Sequence, residues 1–229
     1  MKTLLAISPH LDDAIFSAGA LLWSFRRRGW RVVVATVFTG NVKRPSGFAL
    51  ACQLDKNLPA NVDYMALRRL EDRQACATLD AEPLHLRLLE APHRGYPNAA
   101  ALFNVVLPND QVEGQVRAAL TTVLAATRPD VVLAPSAIGS HVDHVIVRSA
   151  VEAIAGSRRL WLWEDWPYID RIGSIDRRGA HYLLLSADAC MAKVRACGCY
   201  VTQLGFQFGD AQALAAHLHG QRREWFRRA

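Results

Sequence analysis

The sequence predicts an α/β protein, in which a doubly wound, mostly parallel, Rossmann-like sheet carries helices on both faces. Short apolar runs alternate along the chain with longer segments of helical periodicity, which is typical of βαβ units. The apolar runs lack polar alternation, so the strands are expected to be buried on both faces. Hydrophobic residues make up 51% of the 229, which is enough for a large core. Because no repeat or linker divides the chain, we expect one domain over residues 1–229.

The first βαβ unit is the clearest part of the pattern. Residues 3–7 predict a buried strand, residues 13–27 a helix that stops before Gly29, and residues 31–38 a second, parallel strand. The later pattern predicts further elements of both kinds: helices over 63–79, 111–127, about 143–155, about 187–198 and about 210–227, and strands over 84–89, 130–135, 159–163 and 181–185.

Two long segments, 39–62 and 90–110, have no clear period and contain several glycines and prolines. Long irregular segments in a compact domain are commonly functional, so we expect these two to line a substrate pocket. The C-terminal segment 213–228 is expected to pack on the domain, and packing on a partner subunit of a homo-oligomer is the alternative.

The net charge and the cysteines indicate which cellular compartment and which partners to expect. The net charge of +6 comes largely from arginines clustered at 26–31, 68–73 and 222–228, which are most simply solvated helix faces. Anionic substrate groups are the alternative, and no aromatic-interleaved basic stripe favours nucleic acid. Five cysteines without C-x-x-C spacing indicate reduced thiols. No apolar stretch approaches the roughly 18 residues of a membrane span. We therefore expect a cytoplasmic protein without a membrane or nucleic-acid partner.

Metal-type ligands follow two predicted strands. His10, Asp12 and Asp13 come after the first strand, and a second cluster, with His141 and His144, comes after "VVLAP". Ligands in doubly wound folds bind beyond the carboxyl ends of strands, so the clusters are expected to meet there. Two imidazoles and a carboxylate suit a catalytic zinc or another divalent ion with open positions. Such an ion polarises a carbonyl and makes water more acidic.

The remaining polar groups of these clusters suit proton transfer. Of Asp12 and Asp13, one can bind the ion while the other takes a proton from water. His141 lies three residues before His144 and can stabilise an oxyanion and protonate a leaving amine, with Asp143 orienting it. Either aspartate alone is most simply a helix cap, and H-x-x-H alone is a weak signal. The chain has no G-x-S-x-G elbow, G-x-G-x-x-G motif or P-loop, which disfavours a serine nucleophile and a nucleotide cofactor.

Five segments of the sequence resemble the PIG-L/LmbE-like family of zinc-dependent N-deacetylases: "SPHLDDAIFSAGA", "GSHVDHVIVRSA", "LRRLEDRQACATL", "EDWPY" and "KVRACGCYVTQ". The resemblance spans most of the chain, and the two histidine motifs are its specific part. Leu11 and Val142 stand where prolines are common in the family. Both lie beside ligand positions, so the departure concerns the rigidity of the turns.

The resemblance implies a role for each motif residue. By motif position, His10, Asp13 and His144 are the metal ligands, and the choice of Asp13 over Asp12 rests mainly on this resemblance. Asp12 is then the general base, and His141 stabilises the oxyanion and acts as the acid with help from Asp143. Substrate-binding candidates follow in several segments, with local ion pairs or aromatic packing as the structural alternatives: Arg68, Arg94, Trp166 and Tyr168.

The expected function is hydrolysis of an N-acetyl, or other N-acyl, group of an amino-sugar-containing small molecule, with Zn²⁺ or another divalent ion. Antibiotic or secondary-metabolite biosynthesis is the expected context, because family members act on glucosamine-containing molecules that include antibiotics. A metal-dependent amidase for larger conjugates and a non-catalytic sugar-binding protein of the same fold are the alternatives.

Overall fold

The computed structural model describes residues 1–156, 158–172 and 174–229 and contains, within them, one sheet of seven strands. The strands are β1 (Thr3–Ser8), β2 (Arg31–Thr36), β3 (Glu82–His85), β4 (Val131–Pro135), β5 (Arg159–Trp163), β6 (His181–Leu184) and β7 (Arg223–Arg228). Their order in the sheet is β3-β2-β1-β4-β5-β7-β6. The first five strands run parallel, and β7 lies antiparallel between β5 and β6.

Helices cover both faces of the sheet. They are α1 (Asp13–Arg27), α2 (Gly47–Leu54), α3 (Tyr64–Thr78), α4 (Ala99–Leu102), α5 (Val112–Thr127), α6 (Val142–Ile154), α7 (Ala187–Cys197), α8 (Val201–Phe208) and α9 (Ala211–Gly220). Side chains of α1, α3 and α7 pack with Leu4 and Ala6 on one face. Side chains of α5 and α6 pack with Leu5 and Ile7 on the other. The prediction of a doubly wound α/β fold is confirmed.

The central strand shows why its sequence is continuously apolar. Leu4, Leu5, Ala6 and Ile7 of β1 are all fully buried, because β1 has a strand on each side and helices on each face. A strand in that position has no solvent face that would favour polar alternation.

The C-terminus differs most from the prediction. A helix is predicted over about 210–227, but α9 ends at Gly220 and the next residues form β7. Alternate residues of β7 point inward: Glu224 and Phe226 are buried, whereas Arg223 and Arg227 are exposed. This period of two is a strand pattern, which the many arginines hide. The segment packs on the domain, since Leu214 and Leu218 of α9 belong to its core.

Smaller differences concern element ends and short helices. The third strand lies at Glu82–His85 instead of 84–89, because its pairing with β2 is confined to those residues. Helix α8 is not predicted from the sequence, and α2 and α4 lie within the segments predicted to be irregular. In the described ranges, no helix has both the length and the apolar character that crossing a bilayer requires.

Candidate metal centre and active site

The two histidine motifs meet at one edge of the sheet. Strands β1 and β4 are neighbours, with Leu4 beside Val131 and Ala6 beside Leu133, so their carboxyl ends lie together. The chain after β1 crosses to β2 on one side, while β4 lies on the other. This position is the topological switch point, where ligands bind in doubly wound folds.

The turn after β1 is held by its own side chains. Ser8 Oγ donates to the carbonyl of His10 at 2.7 Å and accepts the amide of Ala14 at 3.0 Å. The amide of His10 donates to Asp13 Oδ2 at 2.8 Å. Asp12 stands at the N-cap of α1 but makes no side-chain capping hydrogen bond. The turn therefore fixes Asp13 and leaves the Asp12 carboxylate free of capping.

Three side chains, which we call the ligand cluster, converge beyond these strand ends: His10, Asp13 and His144. Their ligand atoms lie within 4.8 Å of one another. Asp13 Oδ2 is 3.1 Å from His10 Nδ1 and 3.2 Å from His144 Nε2. All three residues are buried, at 8%, 5% and 0% exposure.

The ligand cluster fits a divalent metal ion. His144 Nε2 is buried and has no hydrogen-bond partner among the described residues, although its lone-pair direction is where an imidazole binds metal. Two imidazoles and one carboxylate are the donor set of catalytic sites that keep a position open for water or substrate. The sequence-predicted ligands His10, Asp13 and His144 are thus brought together.

Each of the two histidines of the ligand cluster also forms a hydrogen bond with a carboxylate outside the cluster. The Asp143 carboxylate accepts from His10 Nε2 at 2.9 Å, and the Asp165 carboxylate accepts from His144 Nδ1 at 2.7 Å. Such partners fix the tautomer and orientation of a ligating imidazole. Sequence reasoning missed Asp165. Its signal was its place directly after β5, at the same edge of the sheet.

His10, His141 and Asp143 also bring ligand atoms close together. The Asp143 oxygens, however, already accept three hydrogen bonds, from His10 Nε2, the Ala91 amide and Arg94. Asp143 therefore suits a supporting role, and the cluster with Asp13 suits the metal.

Electrostatics also favour a cation at the ligand cluster. Burial lowers the pKa of His10, but the negative charges of Asp13 and Asp143 outweigh it and raise that pKa to about 9. Burial likewise lowers the pKa of His144, and Asp13 and Asp165 raise it to about 10. The negative charge of the surrounding carboxylates therefore stabilises positive charge on both imidazole rings. A metal ion competes with those two protons, since only a neutral imidazole can bind it.

Asp12 is placed to accept a proton. It is 4% exposed and lines the cavity beside His10, with Oδ1 at 3.5 Å from Arg68 Nη2. Burial raises the pKa of Asp12 to about 6, although the charge of Arg68 opposes this rise. A carboxylate with a raised pKa is a stronger base than an ordinary aspartate, which suits general base catalysis.

His141 lies at the N-cap of α6, with its ring centroid 5.0 Å from that of His10. Its Nδ1 accepts the amide of Asp143 at 3.2 Å, so the proton of the neutral ring lies on Nε2. Burial and the neighbouring His10 lower the pKa of His141 to about 3. The Asp143 carboxylate accepts from His10, while its backbone amide donates to His141 Nδ1, and the assistance of Asp143 to His141 stays a prediction.

A cavity of about 280 Å³ lies above the ligand cluster. Helix α2 and the segment after it supply Phe48 and Lys56, and the segment around α4 supplies Glu90 and Phe103. Residues of the segments 39–62 and 90–110 therefore line this cavity, and its role as a substrate pocket stays a prediction. We call these linings, residues 48–56 and 90–103, the cavity wall.

Two of the four predicted substrate-binding residues line this cavity. Arg68 does, and its Nη1 donates to Glu90 at 3.2 Å. Tyr168 does as well, with its ring centroid 4.9 Å from that of His144.

The other two do not line the cavity. Trp166 is 4% exposed and stacks on Phe208 at 4.8 Å, so it is a packed core aromatic and cannot stack on a sugar. Arg94 lies beneath the site, where it pairs with Asp110 and Asp143. As a polar residue it was a candidate for the pocket. Its guanidinium is buried instead because it pairs with these two carboxylates.

A family profile described as "PIG-L: GlcNAc-PI de-N-acetylase" matches residues 5–155 of the chain. The chain is also similar to a 2'-N-acetylparomamine deacetylase from Streptomyces fradiae, with 33% identity over 179 residues. That alignment covers 76% of this chain and 60% of the relative, so the chain spans less than two thirds of the relative's length.

Solved structures show the same architecture. The zinc-inhibited form of the teicoplanin deacetylase Orf2 has a TM-score of 0.82 at 25% identity, covering 100% of this chain and 99% of that chain. The antimicrobial pseudoaglycone deacetylase Dbv21 has a TM-score of 0.81 at 29% identity, with coverages of 97% and 95%. Both similar structures, like the Streptomyces relative, are named deacetylases.

Proposed function

The chain belongs to the PIG-L family, and on this premise we propose that it is a metal-dependent N-deacetylase acting on an amino-sugar-containing small molecule. The observation that carries the proposal is the ligand cluster, whose His10 lines a cavity together with Asp12. A binding protein needs neither three converging ligands nor an adjacent carboxylate of raised pKa. The similar deacetylases, which are named for paromamine and teicoplanin, support an antibiotic or secondary-metabolite pathway.

His10, Asp13 and His144 would hold the ion, for which we propose zinc, although the same donors suit other divalent metals. When bound, the ion supplies a Lewis acid that polarises the amide carbonyl and makes water more acidic. The similarity to a structure named as zinc-inhibited supports zinc binding in this fold.

Asp12 takes the proton from the attacking water. Its carboxylate lines the cavity, and its raised pKa fits proton uptake near neutral pH. As the C–N bond breaks, the same proton passes from Asp12 to the departing nitrogen, so the amine leaves neutral and the acetyl group leaves as acetic acid. This transfer returns Asp12 to its starting carboxylate state, and the acetic acid then loses its proton to solvent to give acetate.

His141 stabilises the developing oxyanion as a neutral donor. Its Nδ1 is occupied by the Asp143 amide, so Nε2–H is the group that can donate to substrate. Burial and a cationic neighbour disfavour a charged ring, and a metal ion adds positive charge. We therefore assign the proton of the leaving amine to Asp12 and not to His141, which revises the expectation from the sequence.

Arg68 and Tyr168 are proposed to contact the sugar portion, because both line the cavity above the ligand cluster. Arg68 is buried between Asp12 and Glu90, so its position is fixed before substrate arrives. We further propose that residues 1–229 form one deacetylase domain of a cytoplasmic protein. The five cysteines are free thiols, as expected in a reducing compartment.

The test is a panel of N-acetylated glucosaminides and aminoglycoside precursors incubated with zinc-loaded and chelator-treated protein. We expect equal amounts of free amine and acetate from at least one substrate, and no product after chelation. Mass spectrometry of the released acid separates deacetylation from cleavage of a larger acyl group. Binding of a sugar without any release of acid would contradict the proposal.

A further inference from the structure

A buried chain of charges runs from the start of α5 to the ligand cluster. Arg94 stands in its middle, with a side chain only 9% exposed. Its Nη2 donates to Asp143 Oδ1 at 2.6 Å and to Asp110 Oδ2 at 3.0 Å, and its Nη1 donates to the carbonyl of Leu89 at 2.7 Å. The guanidinium thus joins two carboxylates that share no other hydrogen-bond partner within the described part of the chain.

Asp110 anchors one end of this chain. Tyr96 Oη donates to its Oδ2 at 2.9 Å, and the amide of Val112, at the start of α5, donates to its Oδ1 at 3.2 Å. The Asp110 side chain is 2% exposed. Arg94 is therefore held by a buried carboxylate that is itself tied to the first residue of α5 and to Tyr96.

Asp143 forms the other end, where it meets a metal ligand. Its Oδ2 accepts from His10 Nε2 at 2.9 Å and from the amide of Ala91 at 3.0 Å, while its Oδ1 accepts from Arg94. Asp143 is completely buried. With both oxygens held, its carboxylate has one orientation, and the His10 ring that donates to it turns Nδ1 toward Asp13.

We propose that Arg94, held by Asp110, is a positioning residue that sets the orientation of Asp143 and so presents His10 Nδ1 for metal binding. This inference rests on the proposed metal site. It differs from the substrate-contact role expected from the sequence, because Arg94 is not among the described residues that line the cavity. Removing Arg94 leaves Asp110 and Asp143 as two buried carboxylates without their shared cation, which displaces Asp143 from His10.

The proposal separates metal binding from substrate binding. Loss of an outer partner of a ligating histidine typically weakens metal binding about 10–100-fold. Arg94 lies one contact further from His10 than such a partner, so Arg94→Met is expected to weaken zinc binding about 10-fold, the lower end of that range. Once metal is saturating, KM is expected to stay within about twofold of the native value. Arg94→Lys keeps the positive charge but lacks the planar guanidinium that bonds two carboxylates at once. It should therefore recover part of the zinc affinity.

The experiment measures metal affinity by competition with a chromophoric zinc chelator, and site geometry by the visible absorption of the Co²⁺-loaded protein. Arg117→Met is the matched control, because Arg117 is half exposed and, among the residues that the structure describes, its side chain pairs only with Glu113 of its own helix. We expect native affinity and a native Co²⁺ spectrum for this control. We expect a weakened affinity and an altered spectrum for Arg94→Met, with Arg94→Lys intermediate.

If Arg94→Met does not fold, Tyr96→Phe is the deciding variant, since it keeps the ring and removes the hydroxyl that donates to Asp110 and accepts from the Leu107 amide. A smaller loss of affinity in the same direction, about two- to fivefold, is then expected. A folded Arg94→Met with native affinity and spectrum would overturn the inference while leaving the proposed function intact, and so would native values in Tyr96→Phe. Failure of the native protein to bind zinc or cobalt would overturn both.

Discussion

The ligand cluster and the cavity wall differ in how the chain holds them. His10, Asp13 and His144 stand at strand ends and helix starts, are almost fully buried, and are supported by carboxylates. The cavity wall is built from short helices and connecting segments, and its Phe103 is 38% exposed. Chemistry that tolerates little displacement is thus placed on rigid elements, and substrate selection on segments that can vary. The two regions are expected to respond differently to substitution.

The largest effect is expected from removing a metal ligand. His144→Ala deletes the buried Nε2 that faces Asp13 in the cluster. Loss of the ion costs several kcal/mol of transition-state stabilisation, so we expect turnover to fall at least about 10³-fold. Metal content by atomic emission and acetate release by enzymatic assay are measured on the same sample. His219→Ala, which removes an exposed histidine of α9, should keep both. Bound metal with native turnover in His144→Ala would remove this residue from the cluster.

The next effect separates the base from the ligands. Asp12→Asn keeps the size of the side chain and removes its basicity, so kcat should fall about 10²–10⁴-fold. Metal content should remain native, because the proposed ligands are His10, Asp13 and His144. If the variant instead lost its metal and recovered full turnover when zinc was added, Asp12 would be a ligand and not the base.

A smaller effect is expected at Asp165, the carboxylate that bonds His144 of the ligand cluster. Asp165→Asn weakens the hydrogen bond from His144 Nδ1 and should lower metal affinity about 10–100-fold, with turnover restored at saturating metal. A chelator competition series measures this change. Native metal affinity in Asp165→Asn would show that His144 binds metal without its carboxylate partner. The ligand cluster would then differ less from the cavity wall in how its side chains are held.

The smallest effect is expected in the cavity wall. Phe103→Ala removes a ring that packs edge-on against His141 at 5.2 Å between centroids. Phe103 also lines the cavity, where we expect its ring to contact the substrate. Aromatic contacts are worth about 0.5–1.5 kcal/mol, so KM should rise about two- to tenfold. Steady-state kinetics with the best substrate of the panel measure it, and metal affinity should not change. A loss of metal in Phe103→Ala would mean that the two regions are not separate.

That His10, Asp13 and His144 lie close together could be predicted, because His10 comes shortly after β1, His144 lies in the helix that follows β4, and parallel strands bring their carboxyl ends to one edge. The choice of Asp13 over Asp12 as a ligand comes mainly from the family resemblance and stays a proposal. Asp165 and Arg94 could not be assigned in the same way. Their roles depend on partners 21 and 49 residues away, which polarity alone does not reveal.

The fold shows the same limit. Strand β1 can be predicted from its own residues, because burial on both faces of the sheet favours apolar residues at every position. Strand β7 does not, because "REWFRR" becomes a strand only through its pairing with β5 and β6. Its arginines suggest a solvated helix, while the inward positions of Glu224 and Phe226 depend on neighbours distant in the chain.

The most direct test is a titration of metal-free protein with zinc while acetate release from an N-acetylated amino-sugar substrate is followed, with Asp12→Asn in parallel. The account predicts that turnover rises in proportion to bound zinc up to about one equivalent per chain, as three converging ligands require. It also predicts that Asp12→Asn binds the same zinc without comparable turnover. Acetate release by metal-free protein, or native turnover by zinc-loaded Asp12→Asn, would contradict it.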